Sequence, residues 1–466
     1  MARLRTSSAL ELLVPVDRAS AEPLHRQLEQ ALRDAIRTGR LAAGSLLPST
    51  RALAGQLRVS RGTVVEAYEQ LAAEGYLVSR PGGATRVSMA ARSAPTRPQP
   101  AAATTFEFDF RPGRPDLDLF PREAWLRSVR RALNEAPSER LGYLDGRGLP
   151  ELRYALADYV NRVRGTASDA ENIVICSGFA QGLKLVATVL RDSGARRIAI
   201  EDPTQPETGQ DIGALGLEAA RIAVDGSGMR VDLLDAADVD AVVVTAAHQY
   251  PTGGVLPPER RAALLAWAER GGGVIVEDDY DAEFRYDREP IGSLQGLSPD
   301  RVVYAGSASK ILAPGLRLGW FVVPTAMADA VALAKKSADL GSPAIDQLAF
   351  ADFLTHGELD RHLRRLRPIY RARRDALLAA LARHVPELRP VGASAGLHVL
   401  TWLPPDLDEA GVVEAAARAG IRLQGVGPRA DRAAPGGLTF GYGAITEDAI
   451  EPAVARLASV LSEVRG

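Results

Sequence analysis

Cysteine is all but absent: Cys176 is the only one in 466 residues. It has no partner for an intramolecular disulfide, and no metal-ligand spacing surrounds it, so no metal is expected. Lysine is nearly as scarce, with Lys184, Lys310, Lys335 and Lys336 the only four; arginine has taken almost every other cationic position. No apolar run approaches the roughly 20 residues needed to span a bilayer, so no membrane partner is expected. No basic segment followed by an apolar stretch opens the chain, which leaves the cytoplasm as the expected compartment. What is present is ordinary for a globular protein, 46% hydrophobic and 24% charged, enough to bury large cores without staples. The length suits two to four domains.

The net charge of −2 hides an asymmetry. Residues 1–92 hold 13 Arg and no Lys against 8 Asp plus Glu, a balance of +5 that leaves −7 for the rest. A basic segment on an acidic body suggests a nucleic-acid module attached to something else. In that segment Leu24, Leu28, Leu32 and Ile36 recur at helical spacing, and Gly39 stands at the expected stop. Ser49 and Ser60 are N-cap candidates for two further short helices, joined tightly through Arg58-Val59. Tyr76–Val78 and Thr85–Val87 flank Pro81-Gly82-Gly83, a hairpin signal. Three helices and a hairpin make a winged helix-turn-helix. Residues 91–105, rich in Ala, Pro and Thr, read as a linker.

In a helix-turn-helix the N-terminal residues of the second helix meet base edges and phosphates. Here they are Ser60-Arg61-Gly62-Thr63. Arg61 has the fork to grip a guanine or a phosphate, and Ser60 and Thr63 have hydroxyls for phosphate oxygens. Arg51 would brace the backbone, and Gly82 would let a wing tip approach a minor groove. The strings Leu47-Pro48-Ser49-Thr50-Arg51-Ala52-Leu53-Ala54, Val59-Ser60-Arg61-Gly62-Thr63-Val64, Ala67-Tyr68-Glu69-Gln70-Leu71 and Glu74-Gly75-Tyr76 resemble the GntR family of winged-helix regulators over residues 23–88. Gly62 departs from that pattern, where a larger polar residue is usual. The partner this implies is double-stranded operator DNA.

From Phe106 onward, apolar strand-like runs alternate with helical stretches: Ile173–Cys176, Arg197–Glu201, Ala241–Thr245, Gly273–Glu277 and Val302–Ala305. Such alternation predicts a parallel α/β sheet with helices on both faces. The last part, about 341–466, mixes long helices with strands near Gly396–Trp402 and Gly437–Gly441 and reads as a smaller α+β domain. Four of the strand ends carry chemistry. Ser177-Gly178-Phe179 opens a helix whose free N–H groups suit a phosphate. His248-Gln249-Tyr250-Pro251-Thr252-Gly253 follows the third run, and Glu277-Asp278-Asp279-Tyr280-Asp281 the fourth. Ser307-Ala308-Ser309-Lys310 closes the fifth, with Arg317 shortly after. A lysine flanked by hydroxyls in a lysine-poor chain is an informative survivor.

Taken in this order, the motifs resemble fold-type I aminotransferases, enzymes of pyridoxal 5′-phosphate (PLP), over residues 106–466. The resemblance implies Lys310 as the Schiff-base lysine, and Asp278, with Asp279 as the alternative, as partner of the cofactor's ring nitrogen. It implies Tyr280 at the ring hydroxyl, Tyr250 beside it, and Ser307, Ser309, Arg317, Gly178 and Phe179 at the phosphate. Tyr143, in Tyr143-Leu144-Asp145-Gly146, matches a tyrosine that reaches the neighbouring subunit's phosphate, which implies a homodimer. Gln205 stands where an aromatic usually lines the cofactor face, and with Arg429 it is a candidate effector contact.

A GntR-like head on an aminotransferase-like body is the arrangement of MocR/GabR-type regulators. The expected organisation is a DNA-binding domain over 1–90, a linker over 91–105, and a PLP-binding body over 106–466. Within the body the large domain spans about 150–340, and the small domain 341–466 together with the 106–149 segment. The implied function is a PLP-dependent transcriptional regulator that senses PLP or a small amine or amino acid; the alternative is a working aminotransferase with a DNA-binding extension. Transaminase activity is expected to be low, because Leu438 stands where a substrate-carboxylate arginine would be; Arg422, Arg429 and Arg432 are nearby substitutes, Arg429 the best placed by sequence.

Overall fold

A computed structural model of the chain describes residues 16–79, 84–90, 106–286, 291–427 and 435–465. The chain divides into two compact units, 1–104 and 105–466. The Ala/Pro-rich segment, the wing tip with Gly82, and Arg429 and Arg432 all lie outside the described residues.

In the first unit the helices are α1 (Leu24–Arg37), α2 (Thr50–Leu57) and α3 (Arg61–Ala73). Strands β1 (Leu77–Val78) and β2 (Arg86–Val87) pair antiparallel, Leu77 opposite Val87. The helical spacing of α1 puts Leu28, Leu32 and Ile36 into one core with Leu53, Val64, Tyr68, Leu71, Leu77 and Val87. The turn between α2 and α3 is tight because Arg58 takes the left-handed conformation, φ 54°. Ser49 caps α2 by accepting from Ala52 N at 3.2 Å, and Ser60 caps α3 by accepting from Thr63 N at 3.1 Å.

In the second unit the strands are β3 (Phe108–Asp109), β4 (Ile173–Cys176), β5 (Arg197–Asp202), β6 (Glu218–Asp225), β7 (Gly228–Met229), β8 (Ala241–Val244), β9 (Val274–Asp278), β10 (Val302–Ser307) and β11 (Gly319–Val322), followed by β12 (Pro390–Val391), β13 (His398–Trp402), β14 (Ile421–Arg422), β15 (Gln424–Gly425) and β16 (Gly437–Gly441). The large sheet runs β4-β11-β10-β9-β8-β5-β6-β7. Strands β6, β5, β8, β9 and β10 are parallel; β11 runs against both β10 and β4, so β4 points the same way as β10. Alternate residues feed two cores: Ile198, Val243, Val276 and Val303 on one face, Ala199, Val244, Ile275 and Val302 on the other. Burial on both faces is why these strands read as continuous apolar runs. A second sheet, β12-β13-β16-β15, is antiparallel and packs with the helices Glu358–His384 and Glu447–Arg465. The 106–149 segment joins this part of the chain through β3, which pairs parallel with β14.

Candidate functional site

Parallel strands deliver their C-terminal ends to one edge of the sheet, and open α/β sheets bind ligands there. At this edge β10 ends in Ser307, opposite Gly319 of β11, which lies opposite Cys176 of β4; one strand further, Asp278 of β9 is level with Ala305.

Ser307 caps the one-turn helix Ala308–Ile311, its Oγ accepting from Ser309 N at 3.0 Å and donating to Ser309 Oγ at 2.8 Å. That turn projects Lys310, whose Nζ donates to the Gly113 carbonyl at 2.6 Å. Residue 113 takes the left-handed conformation, φ 68°, which favours glycine, and a Cβ there would stand 2.9 Å from the amine. Burial lowers the proton affinity of Lys310, while the carboxylates of Asp278 and Asp281 act the other way.

The two adjacent acids at the end of β9, Asp278 and the following Asp279, part company. Asp279 is buried and spent: it accepts Arg164 Nε at 2.6 Å, Arg164 Nη2 at 3.1 Å and the Tyr304 hydroxyl at 2.8 Å. Asp278 is half-buried at the sheet edge, and its carboxylate accepts no hydrogen bond from the described residues. Burial and the neighbouring Asp279 hold its carboxyl well above the ordinary carboxylate range, against the pull of Lys310. Of the two candidates left open by the sequence, Asp278 is the one free to take a ligand.

Tyr280 and Tyr250 lie side by side, ring centroids 6.1 Å apart. The Tyr280 hydroxyl lies 3.0 Å from His248 Nδ1, which is also 3.0 Å from Asp281 Oδ2, and Tyr250's hydroxyl accepts from Gln424 Nε2 at 3.2 Å. His398 meets Tyr250 edge-on and lies tilted against His248, ring centroids 5.1 and 5.2 Å away, and its Nε2 is 3.2 Å from the Pro251 carbonyl. Burial and the neighbouring His248 push the His398 imidazole down to about 3. His248, Asp281 and His398 hold ligand-type atoms within 4.8 Å of one another. The sequence offered His248 and Asp281 at strand ends and Gly113 in the string Asp109-Phe110-Arg111-Pro112-Gly113 without a role for any of them, and gave no signal for His398 or Arg164.

Behind Lys310, helix Phe179–Asp192 opens with Gly178 at φ 112° and no side-chain cap, so its first N–H groups are free. The Arg317 guanidinium comes to 3.4 Å from where a Gly178 Cβ would be, and Gly319 packs on Gly178 so closely that a Cβ there would meet Gly178 Cα at 2.7 Å. An uncapped helix start, a guanidinium and the hydroxyls of Ser307 and Ser309 form a cradle suited to a phosphate dianion.

Comparison with known proteins agrees with this geometry. The family described as "Aminotransferase class I and II" matches residues 115–456, and "Bacterial regulatory proteins, gntR family" matches residues 24–87. The pyridoxine biosynthesis transcriptional regulator PdxR of Corynebacterium glutamicum is 34% identical over 456 residues, covering 94% of this chain and 95% of that protein. MocR of Rhizobium meliloti is 31% identical, covering 86% and 83%. The chain belongs to the MocR-type GntR regulators. It is a DNA-binding transcriptional regulator with an aminotransferase-fold body, and PLP is the body's cofactor. Among solved structures, a Pyrococcus horikoshii kynurenine aminotransferase in complex with PMP superposes with a TM-score of 0.71 at 27% identity, over 78% of this chain and 92% of that one.

The remaining sequence-derived candidates of this regulator are exposed or part-exposed in their own units. Tyr143 is 92% exposed, and Gln205, at the start of helix Pro206–Gly213, is exposed as well. Arg51 and Arg61 are exposed near the starts of α2 and α3, and Thr63 Oγ1 pairs with Ser60 Oγ at 2.8 Å. The assignment of Leu438 needs correction. Leu438 and Phe440 point into the small-domain core, because successive residues of a strand face opposite sides. The face of β16 turned toward the large domain carries Thr439, in register with Gln424 and with Leu400, two residues from His398. A carboxylate-binding arginine on this strand would have to replace Thr439. No helix among the described residues is long and apolar enough to cross a membrane.

Proposed function

We propose that this regulator senses a primary amine, or PLP itself, at Lys310, acting in the cytoplasm as a homodimer. What supports it most is that Lys310, Asp278, Tyr280 and the Gly178–Arg317 cradle meet at one sheet edge while β16 brings no arginine to it. When bound, the cofactor supplies an aldehyde carbon that primary amines attack. Ser307, Ser309, Arg317 and the N–H groups of Gly178 and Phe179 hold the phosphate end. Asp278 would pair with the ring nitrogen, and Tyr280 with Tyr250 beside it would serve the ring hydroxyl. The amine of Lys310, its proton affinity lowered by burial, is positioned as the nucleophile. The 92% exposure of Tyr143 fits a side chain that completes the partner's phosphate site. In the head, Arg61 reads base or phosphate at the start of α3, with Arg51, Ser60 and Thr63 along the backbone.

A transaminase must also fix the substrate's carboxylate to orient its amine, and such orientation is a large part of catalysis. With Thr439 in place of an arginine, the body binds amines but turns over ordinary α-amino acids very slowly or not at all. Incubation with an amino-acid panel and an oxo-acid acceptor tests this: the cofactor's near-visible band should shift without product accumulating. Sustained multiple turnover would favour a working aminotransferase with a DNA-binding extension.

A further inference from the structure

Two arginines, Arg111 and Arg114, approach the Asp109 carboxylate on the stretch of chain that also holds Lys310, and Arg114 is left without a hydrogen bond from the described residues. The segment that carries them is firmly held. Gly441 N donates to the Phe110 carbonyl at 2.7 Å, and a Cβ at Gly441 or Gly443 would collide with the carbonyl of Arg111 or Arg114. At the far end, Arg373 pairs with Asp116 at 2.7 Å, and the Tyr370 hydroxyl accepts from Asp116 N at 3.0 Å. Within this pinned stretch the Gly113 carbonyl holds Lys310 Nζ, and Arg114 is the next residue.

Asp109 is already committed to Arg111. It accepts Arg111 N at 3.0 Å, Arg111 Nε at 2.9 Å and Arg111 Nη2. Arg114 Nη1 is left 3.7 Å from Asp109 Oδ2, too long for a hydrogen bond; its side chain is 50% exposed and donates to none of the described residues. Arg422, level with Asp109 in the β3–β14 pair, lies 4.9 Å over the Phe106 ring and likewise donates no side-chain hydrogen bond to the described residues. Two guanidinium groups against one carboxylate, with Arg422 near enough to Arg114 to act on its charge, leave excess positive charge there, and Arg114 adds to the effect of burial on the Lys310 amine. A guanidinium with an open fork beside an amine-reactive site is suited to a bidentate grip on a carboxylate.

We propose that Arg114, with Arg422 beside it, holds the carboxylate of an amino-acid effector whose amine reaches the Lys310 position. The proposal rests on the reading of the body as an amine sensor. It moves the anion contact from β16 to the 110–114 segment that packs against the end of that strand.

The test pairs each amino acid with the amine left when its carboxylate is replaced by hydrogen: glycine with methylamine, β-alanine with ethylamine, 4-aminobutanoate with propylamine. The PLP-loaded full chain is titrated with each, and the shift of the near-visible band is read. At least one amino acid should bind about tenfold or more tighter than its amine, the size expected for a charge-assisted contact. Arg114→Gln should bring that ratio to about one, and Arg114→Lys should keep part of it. Sulfate added to wild type should weaken the amino acid and spare the amine, a measurement that stands even if Arg114→Gln fails to fold. A ratio near one in wild type, or a ratio untouched by Arg114→Gln, overturns the proposal. If no amine or amino acid moves the band while borohydride still labels Lys310, the sensor reading falls and this inference with it; if amines act as well as amino acids, only this inference falls.

Discussion

The head and the body put their chemistry in opposite places. In the head, Arg51, Ser60 and Arg61 lie within 11 residues of one another, exposed on two adjacent helices. In the body, the site draws on Gly113, Gly178, His248, Asp278, Lys310 and Arg317, spread over some 200 residues, with His248 buried, Asp278 and Lys310 half-buried and Arg317 exposed. The difference follows from the ligands. A duplex is a rigid, charged surface, so charges presented outward from one helix suffice. A small cofactor has to be enclosed, so its contacts converge from several strand ends, and every buried polar group behind them needs a partner. Side-chain losses in the head should therefore cost binding and leave stability alone. Losses in the body should often cost both.

The strongest break in this comparison is Lys310→Ala. It should abolish the near-visible band and the borohydride label completely, while sedimentation shows the same oligomer as wild type. With four lysines, peptide mapping of the reduced wild type is decisive. Lys335 is buried against Asp339 at 2.6 Å and Lys184 pairs with Asp211 at 3.0 Å, so neither should carry the label. Label on Lys184, Lys335 or Lys336 would sink the assignment.

Next come the twin acids, which should separate cofactor binding from folding. Asp279→Ala strands the buried Arg164 guanidinium and should cost about 3–5 kcal/mol of stability, read as a lowered denaturation midpoint. Asp278→Asn should do the reverse in cofactor-free protein. The folded-state pKa of Asp278 lies above its unfolded value, so the stability it contributes is full below about pH 4 and is lost as pH rises. Replacing it with Asn should flatten that dependence and raise neutral-pH stability while weakening PLP retention. Equal destabilisation by the two substitutions would show that Asp278 is structural too.

How far each region was legible follows the same division. The head could be read from residue order because its caps, turn and contacts are local: Ser49, Arg58 and Ser60 act within a few residues of themselves. The body's parallel strands could be read because burial on both faces makes them continuous apolar runs. Strand β11, Gly319–Val322, was not anticipated: nothing in Gly-Trp-Phe-Val says that it runs against its neighbours between β10 and β4. The roles of Asp278 and Asp279 could not be separated either, since the deciding partner, Arg164, is more than a hundred residues away. Leu438 was misjudged by one residue, and in a strand one residue is a change of face.

Arg61→Ala is the intermediate case. One bidentate arginine contact contributes about 1–3 kcal/mol, so operator affinity should fall roughly 5- to 150-fold at fixed salt. PLP content and the melting of both units should stay as in wild type, because Arg61 is exposed. Wild-type binding should weaken steeply with salt as phosphate contacts release counterions. Unchanged affinity in Arg61→Ala would return the residue to the solvated surface.

The smallest effect should come from Ser60, where structure and binding compete for one hydroxyl. Its Oγ accepts from Thr63 N at 3.1 Å and pairs with Thr63 Oγ1 at 2.8 Å, so it is a working cap for α3. Ser60→Ala removes the cap and should cost the head about 1 kcal/mol, with the body's cofactor band unmoved. Operator affinity would fall whether the hydroxyl touches phosphate or only holds the helix start in place, so this variant alone does not separate the two. Ser60→Asp does. Aspartate caps as well as serine, and its charge suits a helix N-terminus, so head stability should hold or rise slightly. The same charge set against a DNA phosphate should repel it, and operator affinity should drop below that of Ser60→Ala. If Ser60→Asp instead binds the operator as wild type does, the start of α3 does not face the DNA backbone, and the outward-facing half of the comparison fails at its central residue.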